Sequence, residues 1–198
     1  MSQPQSPSWS EYHHRLAGLV RASPLLMEAL RAVRALGLGS WCIGAGAVRS
    51  LVWDDLHGFA EPTPLDDVDV VYFDSTAEGV EHDTALEARL RHAMLSVAWE
   101  VTNQATVHHW FARHLGLQVP PLASLEDGVG TWPEIATCVG VFLRANDSIG
   151  VVAPHGLDDL FQLVVRHNPV RADAQTYCER VASKRFAERW PLLSICPA

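Results

Sequence analysis

The sequence holds one lysine, Lys184, and no basic run, so almost all of its positive charge is scattered arginine. With a formal net charge of −8, this argues against tight non-specific binding to DNA or RNA, which draws on clustered Lys and Arg. Cysteine is equally thin. Cys42, Cys138, Cys178 and Cys196 lack CxxC spacing, which disfavours a zinc site or a disulfide framework and points to a reduced, cytoplasmic protein. No uncharged apolar stretch approaches the roughly 18 residues of a membrane-spanning helix. The first residues are polar, contain proline and carry no basic group. They lack both the charged start and the apolar middle of a secretion signal, and 1–8 reads as a flexible lead. Neither an internal repeat nor a low-complexity segment is present.

What remains suits one folded unit. The 198 residues are 48% hydrophobic, enough for a normal core in a single domain over 9–198. Apolar groups recur at helical spacing over 9–20. A clearer helix starts at Pro24 after Ser23 and ends at Gly37, as proline at the first position and glycine past the last turn dictate. A short strand is expected at 41–43, then a small-residue turn and a helix over 47–56 closed by Gly58. Val68 to Phe73 has strong β propensity. A helix at 84–95, a strand at 97–101 and a helix at 104–115 follow. Strands at 137–143 and 149–152 would pair around Asn146-Asp147, and helices over 157–165 and 172–190 would finish the chain. The order predicts a mixed α/β (α+β) fold, a short mixed sheet flanked by helices. Its core would span about 40–152, with a short helical C-terminal part at about 153–198.

Three patterns carry chemistry. In Asp67-Val68-Asp69 on a strand, the carboxylates at i and i+2 share one face while Val68 and Val70 enter the core. Two such acids repel unless a cation lies between them, and Mg²⁺ prefers oxygen ligands alongside substrate phosphates; an acidic, water-facing strand end is the plain alternative. Gly44-Ala45-Gly46 joins a strand to a helix, where backbone amides can meet phosphate oxygens, with Arg49 one turn further on. It matches neither the P-loop nor the dinucleotide fingerprint. Glu100 interrupts an apolar strand, where a charge is costly unless it meets a cation or faces solvent. Asn103 and Gln104 sit just beyond it, placed to bond a substrate or to cap the next helix. His108, His109 and His114 share one helix beside aromatic residues, a surface pattern more than a metal site.

The order of these pieces resembles the DNA polymerase β-like nucleotidyltransferase superfamily, and more narrowly a small bacterial family of nucleotidyltransferase-like proteins. The resemblance runs from about residue 40 to the C-terminus, through the strings from Ala45 to Gly58, Asp67 to Asp74, Trp99 to His108 and Ala153 to Leu160. It implies transfer of a nucleotidyl group from an NTP to an acceptor hydroxyl by a two-metal route. Asp67, Asp69 and Glu100 would be catalytic and bind Mg²⁺ or Mn²⁺. Gly44, Ala45, Gly46 and Arg49 would meet the phosphates, Asn103 and Gln104 the substrate, and Arg166 would approach the phosphates from the C-terminal part. The acidic balance favours a small-molecule or protein acceptor. The Gly44-Ala45-Gly46 turn departs from the paired glycines usual in the superfamily, and the chain has little room for a large helical nucleotide-binding domain. Both features keep open an alternative: a catalytically weak nucleotide-binding or partner-binding protein that retains the fold.

Overall fold

A computed structural model describes residues 8–77 and 80–198; all of the expected lead except Ser8 lies outside the described residues. Helices α1 (Trp9–Ala22) and α2 (Pro24–Arg34) form a hairpin. Ser23 caps the second helix by accepting from the Leu26 amide at 3.3 Å, and Gly37 leaves it at φ +80°, as the sequence predicted. Then come β1 (Trp41–Gly44), α3 (Ala45–His57) and β2 (Val68–Tyr72). Gly58 ends α3 in the left-handed conformation. Helix α4 (Val80–Ala93) carries the chain over to β3 (Trp99–Asn103), which lies parallel to β2; a parallel neighbour needs such a crossover.

After a 3₁₀ turn at Gln104–Thr106 the chain runs through α5 (Val107–Leu115) and α6 (Leu125–Val129). It then forms the hairpin β4 (Gly140–Leu143) and β5 (Ile149–Val152). Arg34 holds the tip of that hairpin to α2, donating to Asp147 Oδ1 at 2.7 Å and to the Arg144 carbonyl at 2.9 Å. The five strands form one mixed sheet in the order β3-β2-β1-β4-β5, flanked by helices as expected.

The C-terminal part is less helical than its sequence suggests. Over 157–165 only α7 (Asp158–Phe161) is helical, and β6 (Val164–Val165) pairs with β7 (Ser194–Ile195). The change of direction falls at Leu163, which has φ +58°. The helix expected over 172–190 breaks into α8 (Ala174–Ser183) and α9 (Phe186–Arg189), with left-handed Arg185 between them. Tertiary contacts outweigh local propensity here. Trp190 is fully buried against Trp53, its ring centroid 5.2 Å away, and its indole N–H donates to Asp54 Oδ1 at 2.7 Å. Tyr177 donates from its hydroxyl, 3.0 Å from the Val165 carbonyl and 2.7 Å from that of Cys196. The Trp190 contacts fasten the end of the chain to α3, and those of Tyr177 fasten α8 to the strand pair β6 and β7.

The sheet's two faces differ. Trp41, Ile43, Val68, Val70, Tyr72, Trp99 and Val101 join the main core with α1 to α4. Strand alternation sends Cys42 and Val71 to the other face, where Leu125, Val129 and Cys138 form a smaller cluster. That cluster covers only part of the second face, and the remainder is open at Asp69, Glu100 and Thr102. No helix among the described residues is long and apolar enough to cross a membrane.

Candidate active site

The open part of the sheet floors a cleft of about 850 Å³. A larger cleft, about 1190 Å³, lies between α4 and α5 and is lined by His108, His109 and His114. The smaller one brings the predicted acids together: Asp67, Asp69 and Glu100 all line it. Parallel pairing of β2 with β3 sets Asp69 beside Glu100, on strands roughly 4.8 Å apart. Asp67 stands one residue before β2 and shares Asp69's face by the two-residue strand period.

The electrostatic result is visible at Asp69. Burial first, then the charges of Asp67 and Glu100, push its carboxyl from the ordinary 3.8 up to about 6, against the opposing pull of Lys184 and Arg49. The donor set is entirely oxygen and short of positive charge, and so fits a hard divalent cation. Among the described residues, no three His, Cys, Asp or Glu side chains are gathered into a ready cage for a metal.

Of the turn residues, Ala45 and Gly46 line the cleft and Gly44 does not. Gly44 has extended backbone; its glycine is required by packing. A Cβ there would stand 2.6 Å from Cη2 of Trp132 and 3.0 Å from the Val139 carbonyl. The left-handed residue of the turn is Ala45, at φ +48°, a conformation costing a non-glycine residue about 1–2 kcal/mol. Its amide donates to the Val139 carbonyl at 3.3 Å; the amides that follow belong to the first turn of α3, where a helix has no internal acceptor for them, and Gly46 among these residues lines the cleft.

Arg49 lines the cleft with only 4% of its surface exposed. Its guanidinium lies 4.7 Å from the Phe186 ring centroid and 5.4 Å from that of Trp53. It reaches Thr137 Oγ1 at 3.4 Å and leaves a buried Nε without a partner. Burial pushes its pKa down to about 10, with Glu134 pulling the other way.

Gln104 is buried at the cleft and packs over Gly128. Asn103 lies elsewhere. Its side chain bonds the Asp74 carbonyl and amide, the Ala77 carbonyl and the Ala105 amide, so its polar atoms serve the backbone, including the cap. Arg166 also stands apart, paired with Asp159 at 3.1 Å and outside the cleft lining. The C-terminal cations that do line it are Arg171, Arg180 and Lys184, which sequence reasoning passed over. Their only signal was a lone lysine in an arginine-rich tail. Trp132, also missed, is held near the turn by the loop that Asn168 ties, its amide donating to the carbonyls of Gly130 and Trp132 at 2.8 Å each. On the other rim, α5 has no buried residue and offers Trp110, Phe111 and Leu115 as an apolar lip.

The chain is similar to solved structures. A protein whose NMR structure reveals a CCA-adding enzyme head domain superposes with a TM-score of 0.77 at 28% identity, covering 93% of this chain and 96% of that one. A tRNA-processing enzyme in an apo form gives 0.48 at 18%, over 85% of this chain and 44% of its own. The Bacillus stearothermophilus CCA-adding enzyme in complex with CTP gives 0.46 at 16%, over 86% and 40%. No curated protein sequence matches the chain. A family described as nucleotidyltransferase matches residues 31–195, which takes in the turn, all three acids and the C-terminal cations, and to that nucleotidyltransferase family this chain belongs.

Proposed function

We propose that the cleft binds an NTP with a divalent cation and transfers its NMP group to the hydroxyl of a small-molecule or protein acceptor. The observation that carries this reading is the register of Asp69 against Glu100, with Asp67 completing an under-neutralised carboxylate wall beside the N-terminus of α3. Asp67, Asp69 and Glu100 would hold Mg²⁺ or Mn²⁺. Such an ion neutralises phosphate charge and lowers the pKa of an acceptor hydroxyl.

The chain's own part is positioning and charge. The first-turn α3 amides beyond Ala45, with Arg49, orient the phosphates. Trp132, with Trp110 and Phe111 across the cleft, offers flat apolar surface to a base. The acceptor hydroxyl loses its proton to water, its oxygen bonds to the α-phosphorus as the bond to the bridging oxygen breaks, and pyrophosphate leaves. The neighbouring larger cleft, which shares Thr102, Val107 and Trp110 with this one, provides a route for the acceptor. A reducing, cytoplasmic setting is consistent with four free cysteines; burial raises the Cys138 thiol to about 12.

Calorimetric titration of the four NTPs, with and without Mg²⁺, on wild type and on Asp67→Asn/Asp69→Asn tests this. Metal-dependent binding lost in the folded double variant is expected, together with pyrophosphate release once an acceptor panel includes the right hydroxyl. Unchanged binding in the variant would overturn the site. Metal-dependent binding without pyrophosphate from any acceptor would favour a nucleotide-binding protein that keeps the fold.

A further inference from the structure

The cations of the cleft are unevenly satisfied. Arg49, Arg171, Arg180 and Lys184 line it, along with the acids Asp67, Asp69, Glu100 and Asp173. Asp173 is spent as the cap of α8, accepting from the Thr176 amide at 2.7 Å. Arg49 keeps a buried Nε and Arg171 a buried Nη1 with no partner. Arg180 uses its Nε alone, donating to Glu134 Oε1 at 2.9 Å. Buried guanidinium donors left open are costly unless an anion meets them.

Glu134 explains how Arg180 is aimed. It is fully buried, and its backbone is pinned by a bridge to His167 and by the Thr137 amide at 2.9 Å. A carboxylate bound to Nε holds the guanidinium plane and leaves the terminal nitrogens as a fork suited to phosphate. Lys184 follows four residues later, on the same side of α8, and stands 3.5 Å from Asp66, next to the catalytic acids. The tail is not free to drift, because Trp190 and Phe186 pack against Trp53 of α3.

Resting on the function proposed above, we infer that Arg180 and Lys184, beside Arg49 and Arg171, grip the β- and γ-phosphates of the NTP, and that Glu134 positions Arg180 for this. Helix α8, with Lys184 at its end, thereby makes the cleft select a triphosphate over a monophosphate. The acids on β2 and β3 hold the reacting end of the nucleotide, and the fork on α8 holds the leaving end.

The test is calorimetry with tripolyphosphate, AMP and the tightest-binding of the four NTPs, at fixed Mg²⁺, on wild type, Arg180→Gln and Lys184→Gln. Each variant should weaken NTP and tripolyphosphate binding roughly ten-fold or more, the scale of a charge-assisted hydrogen bond, and leave AMP binding unchanged. Melting curves establish folding, and Lys184→Gln serves if Arg180→Gln fails to fold. NTP affinity unchanged in a folded variant, or AMP weakened equally, overturns the grip while the proposed function stands. Tripolyphosphate bound through Arg180 by a protein that binds no NTP keeps the grip and overturns the function. No binding of either to wild type overturns both.

For Glu134 the variant is Glu134→Asp, which keeps the charge and withdraws the carboxylate by one methylene. It should weaken the NTP several-fold with Arg180 present and have no effect in the Arg180→Gln background. An equal loss in both backgrounds would mean a merely structural role for Glu134.

Discussion

Replacing Asp69 by asparagine removes a charge that the metal-free fold holds at a cost. The carboxyl is raised from 3.8 to about 6 by burial and by Asp67 and Glu100, so the folded state binds its proton more tightly than the unfolded chain does. Stability therefore falls as pH rises from about 4 through about 6, and the full penalty is present above that window. A shift of about two units corresponds to at most about 3 kcal/mol. Asparagine is nearly isosteric and uncharged, so Asp69→Asn should recover most of this near pH 8 and only about half of it near pH 5, where the native aspartic acid is mostly protonated while the unfolded one is already ionised. For a chain of this size, that is a melting temperature higher by roughly 5–10 °C. Circular dichroism melts of both proteins at the two pH values, in EDTA, read the difference directly. Adding Mg²⁺ should narrow the gap near pH 8, because a bound ion stabilises wild type by mass action. A variant no more stable than wild type near pH 8, or equally stabilised at both pH values, would refute the electrostatic argument. A stabilised variant that still turns over would refute the catalytic one.

Two opposite glycine exchanges test the turn. Gly44→Ala should cost about 1–3 kcal/mol, the range for overpacking a filled site, since its Cβ meets Trp132 and the Val139 carbonyl; Ala45→Gly should gain up to about 1 kcal/mol by relieving the positive φ. Chemical denaturation of the two proteins gives both signs. Trp190→Ala should lose about 3–5 kcal/mol, because the ring is fully buried and its N–H bonds Asp54. It should also weaken NTP binding by loosening α8, an effect that Trp190→Phe should largely avoid.

The shared face of Asp67 and Asp69 was legible because it is local. A period of two along Val68–Tyr72 separates Asp69 and Val71 from the core-facing valines, and β propensity places the strand without knowledge of its neighbours. The helix ends at Gly37 and Gly58 were legible for the same reason: each requires a positive φ that the residue type announces. Gly44 was marked by its residue type, but its purpose, passage of the Trp132 ring, depends on a residue 88 positions later. The tail misled, since an apolar stripe over 157–165 reads equally as one helix or as a short helix and a strand, and only the pairing of β6 with β7 decides.

Residue order and periodicity alone thus specify a mixed sheet with an acidic strand end and a small-residue turn before a helix. Packing decides everything that faces those acids. Arg171, Arg180, Lys184 and buried Glu134 come from segments remote from Asp69 in sequence, and Phe186 and Trp190, packed edge to face on Trp53, hold the tail that brings α8 to the rim. A carboxylate pair has its spacing written into one strand. A wall of cations drawn from several elements has no such period, and its members meet only through the burial of aromatic side chains elsewhere.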